Sequence, residues 1–199
     1  ADILSNDFVF DLDSIWSSDA AAVDLHEFSY APAIRDNYVS VLCERGSAYA
    51  YGEIIFVHAG SRVDSIEDNE IDIQVAGGLE GAGVLVSKGS RVGEIVDNEI
   101  FGNDTAGDGG GIYLAPGVRA ATVAGQRAIP GWLDAEIHDN RASGRGGGLF
   151  LGRVAEIERT IAGLRIRANE ALVMGGGIYV EPGARVVIRD SRITGNNPD

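Results

Sequence analysis

The segment IFGNDTAGDGGGIYL at residues 100–114 decides the fold, because it recurs twice in the chain. The copies are IHDNRASGRGGGLFL at residues 137–151 and IRANEALVMGGGIYV at residues 166–180. All three share an isoleucine at the first position, an asparagine three residues later, and a glycine triplet followed by three apolar residues. Independent features that keep one register indicate a structural repeat, and a repeat of this size is typical of a solenoid.

Partial copies of the repeat lie before and after these three segments. They are Gly81-Ala82-Gly83 before Val84-Leu85-Val86, Ile71 with Gln74, Ile193 with Asn196, and Ile34 with Asn37. A Gly-x-Arg column adds another feature, at Gly60-Ser61-Arg62, Gly89-Ser90-Arg91, Gly117-Val118-Arg119 and Gly183-Ala184-Arg185. From Ile71 to Ile193 the repeated isoleucines are 29, 37, 29 and 27 residues apart, which indicates a period of about 29 with one insertion.

The repeat predicts an all-β fold, a single-stranded right-handed parallel β-helix, or β-solenoid, with coils of about 29 residues. Each unit holds short β-type runs separated by Gly, Asn, Asp or Pro. Such a unit cannot bury its apolar face alone, but stacked copies form continuous parallel sheets around a shared core. The glycine triplets suit tight turns, since glycine takes positive φ freely.

The register also assigns side chains to faces, since alternate residues of a strand point to opposite sides. Ile112 and Leu114 would face the core, together with their equivalents in the other coils. An outward column then comprises Phe56, Leu85, Tyr113, Phe150 and Tyr179. An asparagine ladder at equivalent turns comprises Asn103, Asn140, Asn169 and Asn196, and amide stacking between coils predicts a structural role for it.

At these residues the chain resembles the right-handed parallel β-helix superfamily, which includes the pectin lyases. Its Ile-x-x-Asn followed by Gly-Gly-Gly-Ile-Tyr resembles the repeats of polymorphic outer-membrane proteins and autotransporter adhesins, over roughly residues 50 to 199. Those repeats usually read Gly-Gly-Ala-Ile with a Phe-x-x-Asn partner, so this chain departs at two positions. The resemblance implies a surface adhesin or, through pectin lyases and polygalacturonases, a carbohydrate-active protein.

Catalysis in this fold would need converging carboxylates. The candidates are Asp104, Asp108 and Asp139, but Arg141 and Arg145 take the equivalent positions of the first two in the next coil, which favours ion pairs between coils. No catalytic residue is therefore assigned, and an enzyme, if this chain is one, would be a polysaccharide lyase or a glycoside hydrolase.

No cofactor is required by any motif, although Ca²⁺ is possible. Weak candidate ligands are Glu67, Asp68, Asp97 and Glu99, because oxygen donors suit this ion. A solvated acidic face is the alternative. The three histidines lack metal-ligand spacing.

The formal charge of −14 argues against nucleic acid and anionic membrane as partners. One cysteine excludes an intrachain disulfide, and no apolar run is long enough to cross a bilayer. The chain begins Ala-Asp-Ile-Leu, which suits a mature secreted protein or an excised fragment. We expect an extracellular or cell-surface location.

Two segments fall outside the repeat. Residues 1–33 are predicted to cap the parallel β-helix of residues 34–199, and residues 126–134 are predicted to be an insertion whose Trp132 is a contact element. The main functional hypothesis is a structural, adhesive or filament-like protein that associates head to tail. Its C-terminal coil, at residues 188–196, is expected to meet either the N-terminal segment of another copy or further residues of its own chain. The alternative is carbohydrate binding through the outward aromatic column, with a polysaccharide or a host surface protein as partner; that column could equally be covered.

Overall fold

The computed structural model describes residues 2–11, 18–19, 22–42, 50–51, 54–74, 83–125, 135–153 and 158–198. All the regular elements in these ranges are strands. They are β1 (Ile3–Leu4), β2 (Asp7–Asp11), β3 (Ser18–Asp19), β4 (Val23–Leu25), β5 (Tyr30–Arg35), β6 (Tyr38–Leu42), β7 (Ala50–Tyr51), β8 (Ile55–Val57), β9 (Arg62–Glu67), β10 (Glu70–Gln74), β11 (Val84–Val86), β12 (Arg91–Val96), β13 (Glu99–Phe101), β14 (Asp104–Thr105), β15 (Ile112–Leu114), β16 (Arg119–Ala124), β17 (Glu136–His138), β18 (Arg141–Ala142), β19 (Leu149–Leu151), β20 (Glu158–Ala162), β21 (Arg165–Arg167), β22 (Glu170–Ala171), β23 (Ile178–Val180), β24 (Arg185–Arg189), β25 (Arg192–Thr194) and β26 (Asn197–Pro198).

The strands stack in chain order, which makes the molecule a parallel β-solenoid. Sheet 1 has the order β1-β5-β9-β12-β16-β20-β24, and sheet 2 has the order β2-β6-β10-β13-β17-β21-β25. Sheet 3 runs β4-β8-β11-β15-β19-β23, sheet 4 runs β14-β18-β22-β26, and β3 pairs with β7. The pair β15 and β19 is parallel, with Ile112 opposite Leu149 and Leu114 opposite Leu151, so the predicted pairing of the glycine-triplet strands is confirmed.

The core consists of apolar columns that run along the axis. Ile66, Ile95 and Ile161 belong to the column of sheet 1 and are 2 % exposed or less. The column of sheet 2 includes Ile71, Ile100, Ile137 and Ile166, which are also buried. Because every coil contributes one residue to each column, the repeated isoleucines of the sequence are the core.

The corners between sheets share one local motif, a residue with positive φ followed by a side chain that turns inward. Between sheets 1 and 2 the residues Asp68 and Asp97 both have φ of 53°, and each precedes an asparagine. Between sheets 2 and 4 Asp139 has φ of 53° and precedes Asn140. The left-handed conformation bends the chain sharply, and aspartate tolerates it better than most residues.

The predicted N-terminal cap continues the sheets. Strands β1 and β2 pair in parallel with β5 and β6, and β4 pairs with β8. The predicted boundary at residue 33 falls inside β5, so no break in the sheets separates a cap from the solenoid. Whether this first coil keeps the protein soluble stays a prediction.

The predicted insertion, residues 126–134 with Trp132, lies outside the described residues. Its flanks are described and lie together: a β-carbon built on Gly125 would be 2.9 Å from the β-carbon of Ala135. The coil therefore closes across the insertion, as its absence from neighbouring repeats predicts.

Candidate functional site

The outward column forms the predicted stack, but its centre is buried. Phe56, Leu85, Tyr113, Phe150 and Tyr179 occupy one register through β8, β11, β15, β19 and β23. Phe150 is 1 % exposed and Tyr113 is 8 % exposed, while Phe56 and Tyr179 are half-buried. The Phe150 ring stacks on both tyrosines, with centroids 4.8 and 5.4 Å apart. The structure thus covers Tyr113 and Phe150 at the centre of the column and leaves Phe56 and Tyr179 partly exposed.

Arg145 packs over two rings of the aromatic column. Its guanidinium carbon lies 5.2 Å from the centre of the Phe150 ring and 4.9 Å from that of Tyr179. Asp108, one coil earlier, accepts a hydrogen bond from Nη2 at 2.6 Å and another from the backbone N–H of Arg145 at 2.6 Å. The hydrogen bond to Asp108 raises the pKa of Arg145. We call Asp108, Arg145, Phe150 and Tyr179 the arginine clamp, and it ties three successive coils together.

Removing the guanidinium of the clamp should destabilise the protein. We expect Arg145→Ala to lower the free energy of unfolding by about 2–4 kcal/mol, since it uncovers a buried ring and leaves the half-buried Asp108 without its counter-ion. Arg145→Lys should recover only part of this loss, because an ammonium cannot make the forked contact. Denaturant unfolding measures both variants, and an Arg145→Lys variant as stable as the parent would contradict the clamp.

The other catalytic candidates lie in ion pairs or hydrogen bonds between neighbouring residues. Asp104 lies 3.4 Å from Nη1 of Arg141, which also approaches Glu170. Oδ2 of Asp139 lies 2.6 Å from Nδ1 of His138. The expected pairing of carboxylates with arginines of the next coil is therefore confirmed for Asp104 and Asp108.

The four calcium candidates do not converge. Asp68 and Asp97 occupy successive corners, whereas Glu67 ends β9 beside Arg35, at 3.9 Å, and Glu99 stands on sheet 2. Within the described ranges no group of three or more His, Cys, Asp or Glu side chains is placed to hold a metal ion. In the same ranges there is no helix with the length and apolarity needed to cross a membrane.

The predicted asparagine ladder is present and continuous. Oδ1 of Asn140 accepts from the side-chain and backbone N–H groups of Asn103, and Oδ1 of Asn169 accepts the same pair from Asn140 at 3.0 and 3.1 Å. Asn196 continues the series with Asn169. Each inner amide also donates to a carbonyl of the preceding coil, as Asn140 does to Ile100 at 2.9 Å. The hydrogen bonds of the buried Asn140 and Asn169 amides, to one another and to the backbone, indicate a structural role for the ladder, although Oδ1 of Asn103 has no hydrogen-bond partner among the described residues.

A second ladder, which the sequence analysis missed, occupies the corner between sheets 1 and 2. It runs through Asn6, Asn37, Asn69 and Asn98, with side-chain contacts of 2.9 Å at each step. Its signal in the sequence is the repeated Asp-Asn-Glu at residues 68–70 and 97–99. In later coils Leu164 and Ser191 take the same corner. A cavity of about 10 Å³, room for one water molecule, lies where this ladder ends, beside Asn98 and Leu164.

Arg159 is a buried arginine that the sequence pattern did not predict. It is 2 % exposed and donates through its terminal nitrogens to the carbonyls of Gly152 and Val118. Burial lowers its pKa to about 10. The sequence holds one indication of this role, because the coil of Arg159 lacks the Gly-x-Arg turn of its neighbours. The buried guanidinium instead provides hydrogen-bond donors for two backbone carbonyls.

The outer face of sheet 2 carries an ordered series of charges. One register column consists of Tyr38, Glu70, Glu99, Glu136, Arg165 and Arg192. Burial raises the pKa of Glu70, and the neighbouring Glu99 and Asp72 raise it further. Glu136 lies 3.9 Å from Arg165 and also pairs with Arg167. The column therefore changes from acidic to basic along the axis.

The raised pKa of Glu70 determines how this residue makes the stability of the protein depend on pH. Because the folded-state pKa of Glu70 is raised, its contribution to stability is present in acid and is lost as pH rises through that pKa. Glu70→Gln should therefore stabilise the protein at neutral pH, by less than about 1 kcal/mol for so exposed a group. The gain should vanish in acid, and thermal unfolding across pH measures it.

Asp64 provides a control in which stability should depend on pH in the opposite direction. Hydrogen bonds from Tyr30, at 2.6 Å, and from Arg62 lower its pKa, so its contribution is present at neutral pH and is lost as pH falls. Asp64→Asn should destabilise at neutral pH and converge with the parent in acid. Curves of the same sign for both variants would contradict this assignment.

The C-terminal coil exposes the apolar columns that are buried elsewhere. Ile188 pairs with Ile161 in sheet 1 and Ile193 pairs with Ile166 in sheet 2, and both partners are fully buried. The exposed fractions of Ile188 and Ile193 are 47 % and 43 %, and that of Val187 is 40 %. Ile188 and Ile193 are therefore apolar side chains that a further coil could bury.

Comparisons with models of protein families, with curated proteins and with solved structures find no match to this chain. The fold is therefore established by the strand pairing alone, and the resemblance to pectin lyases and autotransporter adhesins stays a prediction.

Proposed function

We propose that this chain is a structural β-solenoid of a secreted or cell-surface protein, and that it associates end to end. The observation that carries the proposal is the exposure of Ile188 and Ile193, at 47 % and 43 %. Ile188 and Ile193 continue core columns whose earlier members are fully buried, so covering them would remove apolar surface from water.

The backbone supports the same proposal. Among the described strands, β24 and β25 pair with β20 and β21 and are last in the order of their sheets. A strand edge beside exposed apolar side chains favours the addition of another strand, of a second copy or of the same chain. Pairing through such edges is heterologous, and it leads to open chains of molecules rather than closed dimers.

The lateral surface is the basis of the alternative function, carbohydrate binding. The centre of its aromatic column is buried, since Phe150 is 1 % exposed, whereas Phe56 and Tyr179 are half-buried. Ion pairs between coils, such as Arg141 with Asp104, occupy other outward positions. Carbohydrate binding would therefore depend on the partly exposed rings at the two ends of the column.

Blocking the C-terminal end should abolish association. Sedimentation of the parent chain should show a mass that increases with concentration, whereas Ile188→Lys combined with Ile193→Lys should weaken association at least about tenfold, since the new ammonium groups would be buried without partners. Ala59→Lys is the matched control, because Ala59 is exposed at a turn where the next coil already carries Lys88 in the same position. A strictly monomeric parent chain at high concentration would overturn end-to-end association.

The location is tested separately. We expect the native protein in the medium of its source cells, or on their surface within reach of a protease added to intact cells. Recovery of all the protein in a protease-protected fraction would refute the extracellular part of the proposal.

A further inference from the structure

The turns that join sheet 3 to sheet 1 are basic, although the chain as a whole is acidic. Those with described residues lie at 58–62, 87–91, 115–119, 152–153 and 181–185, and we call them the basic edge. They hold six of the sixteen Lys and Arg side chains of the chain, but one of its thirty Asp and Glu side chains. The six cations are exposed, and they are Arg62, Lys88, Arg91, Arg119, Arg153 and Arg185.

Arginines occupy one register position in three successive coils of the basic edge. Arg62 lies opposite Arg91, and Arg91 lies opposite Arg119, through β9, β12 and β16. Neighbouring strands are about 4.8 Å apart, so the three side chains start from one closely spaced row. Like charges directly opposite each other destabilise a sheet, and anions placed beside the row would remove this repulsion.

The protein itself provides few such anions. Arg62 pairs with Asp64 at 2.7 Å. Within the described ranges no ion pair involves the other cations near the row, which are Lys88, Arg91, Arg119 and Arg185. Elsewhere on the solenoid arginines pair with carboxylates of a neighbouring coil, as Arg141 does with Asp104. The basic edge therefore differs from the other charged surfaces in having cations that are available to an external anion.

Long side chains of the basic edge extend along the axis, over the glycine of the following turn. Cγ of Lys88 lies 3.6 Å from a β-carbon built on Gly117, and Cδ of Arg153 lies 3.3 Å from one built on Gly183. The acidic residue of the edge, Glu181, accepts a hydrogen bond from the backbone N–H of Arg153 at 2.8 Å. At a rise of about 4.8 Å per coil, the five turns form a narrow strip about 20 Å long on the side of the solenoid.

We propose that the basic edge binds a sulfated polysaccharide, whose chain lies along the side of the solenoid. A single polysaccharide chain is narrow enough to follow a strip that is one turn wide, and sulfation gives it closely spaced anions. Guanidinium groups donate forked, charge-assisted hydrogen bonds to oxyanions of this kind. At about 0.1 M salt the Debye length is about 10 Å, so the local cations act on the ligand more strongly than the distant acidic residues do.

Single-stranded nucleic acid is another narrow polyanion, but the basic edge suits it less well. Proteins that bind it combine cations with aromatic side chains on which the bases stack. The five turns contain no Phe, Tyr or Trp. A polysaccharide also suits the extracellular location proposed above, and the choice of ligand class rests on that location in part. The inference is independent of end-to-end association, because the basic edge lies on the side of the solenoid.

Binding to immobilised dextran sulfate at neutral pH and about 0.1 M salt tests the proposal, with unsulfated dextran as the reference surface. The parent chain should bind dextran sulfate and not dextran, despite its formal charge of −14. Binding should weaken as the salt concentration rises, because the contact is electrostatic. Arg91→Gln with Arg119→Gln should bind at least about fivefold more weakly than the parent, since it removes two adjacent cations of the row.

Arg189→Gln with Arg192→Gln is the matched control. It makes the same charge change at exposed arginines, but at the corner between sheets 1 and 2, and it should bind within about twofold of the parent. Arg91→Lys with Arg119→Lys should retain most of the binding, because the charges remain. Circular dichroism and thermal unfolding verify that each variant is folded.

Three results would overturn the proposal. The parent could fail to bind dextran sulfate, or the glutamine variant of the basic edge could bind as tightly as the matched control. Binding of single-stranded DNA as tight as that of dextran sulfate would refute the ligand class. Sedimentation of the same samples reports end-to-end association separately, so either proposal can fail while the other stands.

Discussion

Replacing Gly147 with alanine should lower the free energy of unfolding by at least about 3 kcal/mol, because the new methyl group has no space. A β-carbon there would lie 2.1 Å from the carbonyl oxygen of Glu170 and 2.6 Å from that of Gly176, both backbone atoms of the next coil. The backbone of two coils would have to separate to admit it. Against a total stability of about 5–15 kcal/mol for a typical domain, this is a large loss.

Gly89→Ala is the control for this variant. Gly89 has φ of +86°, but the nearest atom to a built β-carbon is 4.0 Å away, so alanine there adds strain without overlap. We expect a loss of about 1–2 kcal/mol from the left-handed conformation alone. Denaturant unfolding compares the two, and a loss at Gly147 no larger than the loss at Gly89 would contradict close packing between coils at the glycine triplets.

The second large effect is expected at the centre of the predicted asparagine ladder. Asn140→Asp keeps the shape and the acceptor oxygen, but it removes the N–H donors that serve Ile100 at 2.9 Å and Asn169 at 3.0 Å. A carboxylate would face two buried oxygens, so we expect a loss of about 3–5 kcal/mol at neutral pH. Part of it should return in acid, where a protonated carboxyl group can donate one hydrogen bond.

Asn196→Asp is the matched control, since Asn196 belongs to the same ladder but is half-buried at its end. Water can hydrate a carboxylate there, so the loss should be clearly smaller. Thermal unfolding at neutral and acidic pH measures both variants. Similar losses at the two positions would contradict the view that burial makes the ladder essential.

The features that recur once per coil could be predicted from the sequence. Ile100, Ile137 and Ile166 recur with a fixed spacing, and a column of identical side chains can only be aligned if the coils stack in register. The asparagines Asn103, Asn140 and Asn169 follow from the same spacing. The parallel pairing of the strands after the glycine triplets is a direct consequence.

The coverage of the aromatic column could not be predicted. Alternation within a strand places Phe150 on the outer face, but it does not show what lies over that face. The cover is Arg145, held by Asp108 from the preceding coil, and these residues lie in turns that the strand pattern does not orient. The second ladder was not predicted for a different reason. Asn69 and Asn98 lie between acidic residues, and these acidic residues favoured a metal-binding interpretation of the segment.

The central claim is that the chain is a parallel β-solenoid whose C-terminal coil, where Ile188 and Ile193 are exposed, associates with another coil. Electron cryomicroscopy of the concentrated parent chain tests it most directly. The account predicts assemblies in which the spacing of about 4.8 Å between strands continues past β24 and β25. Single solenoids at every concentration, or contacts that leave β24 and β25 uncovered, would contradict it.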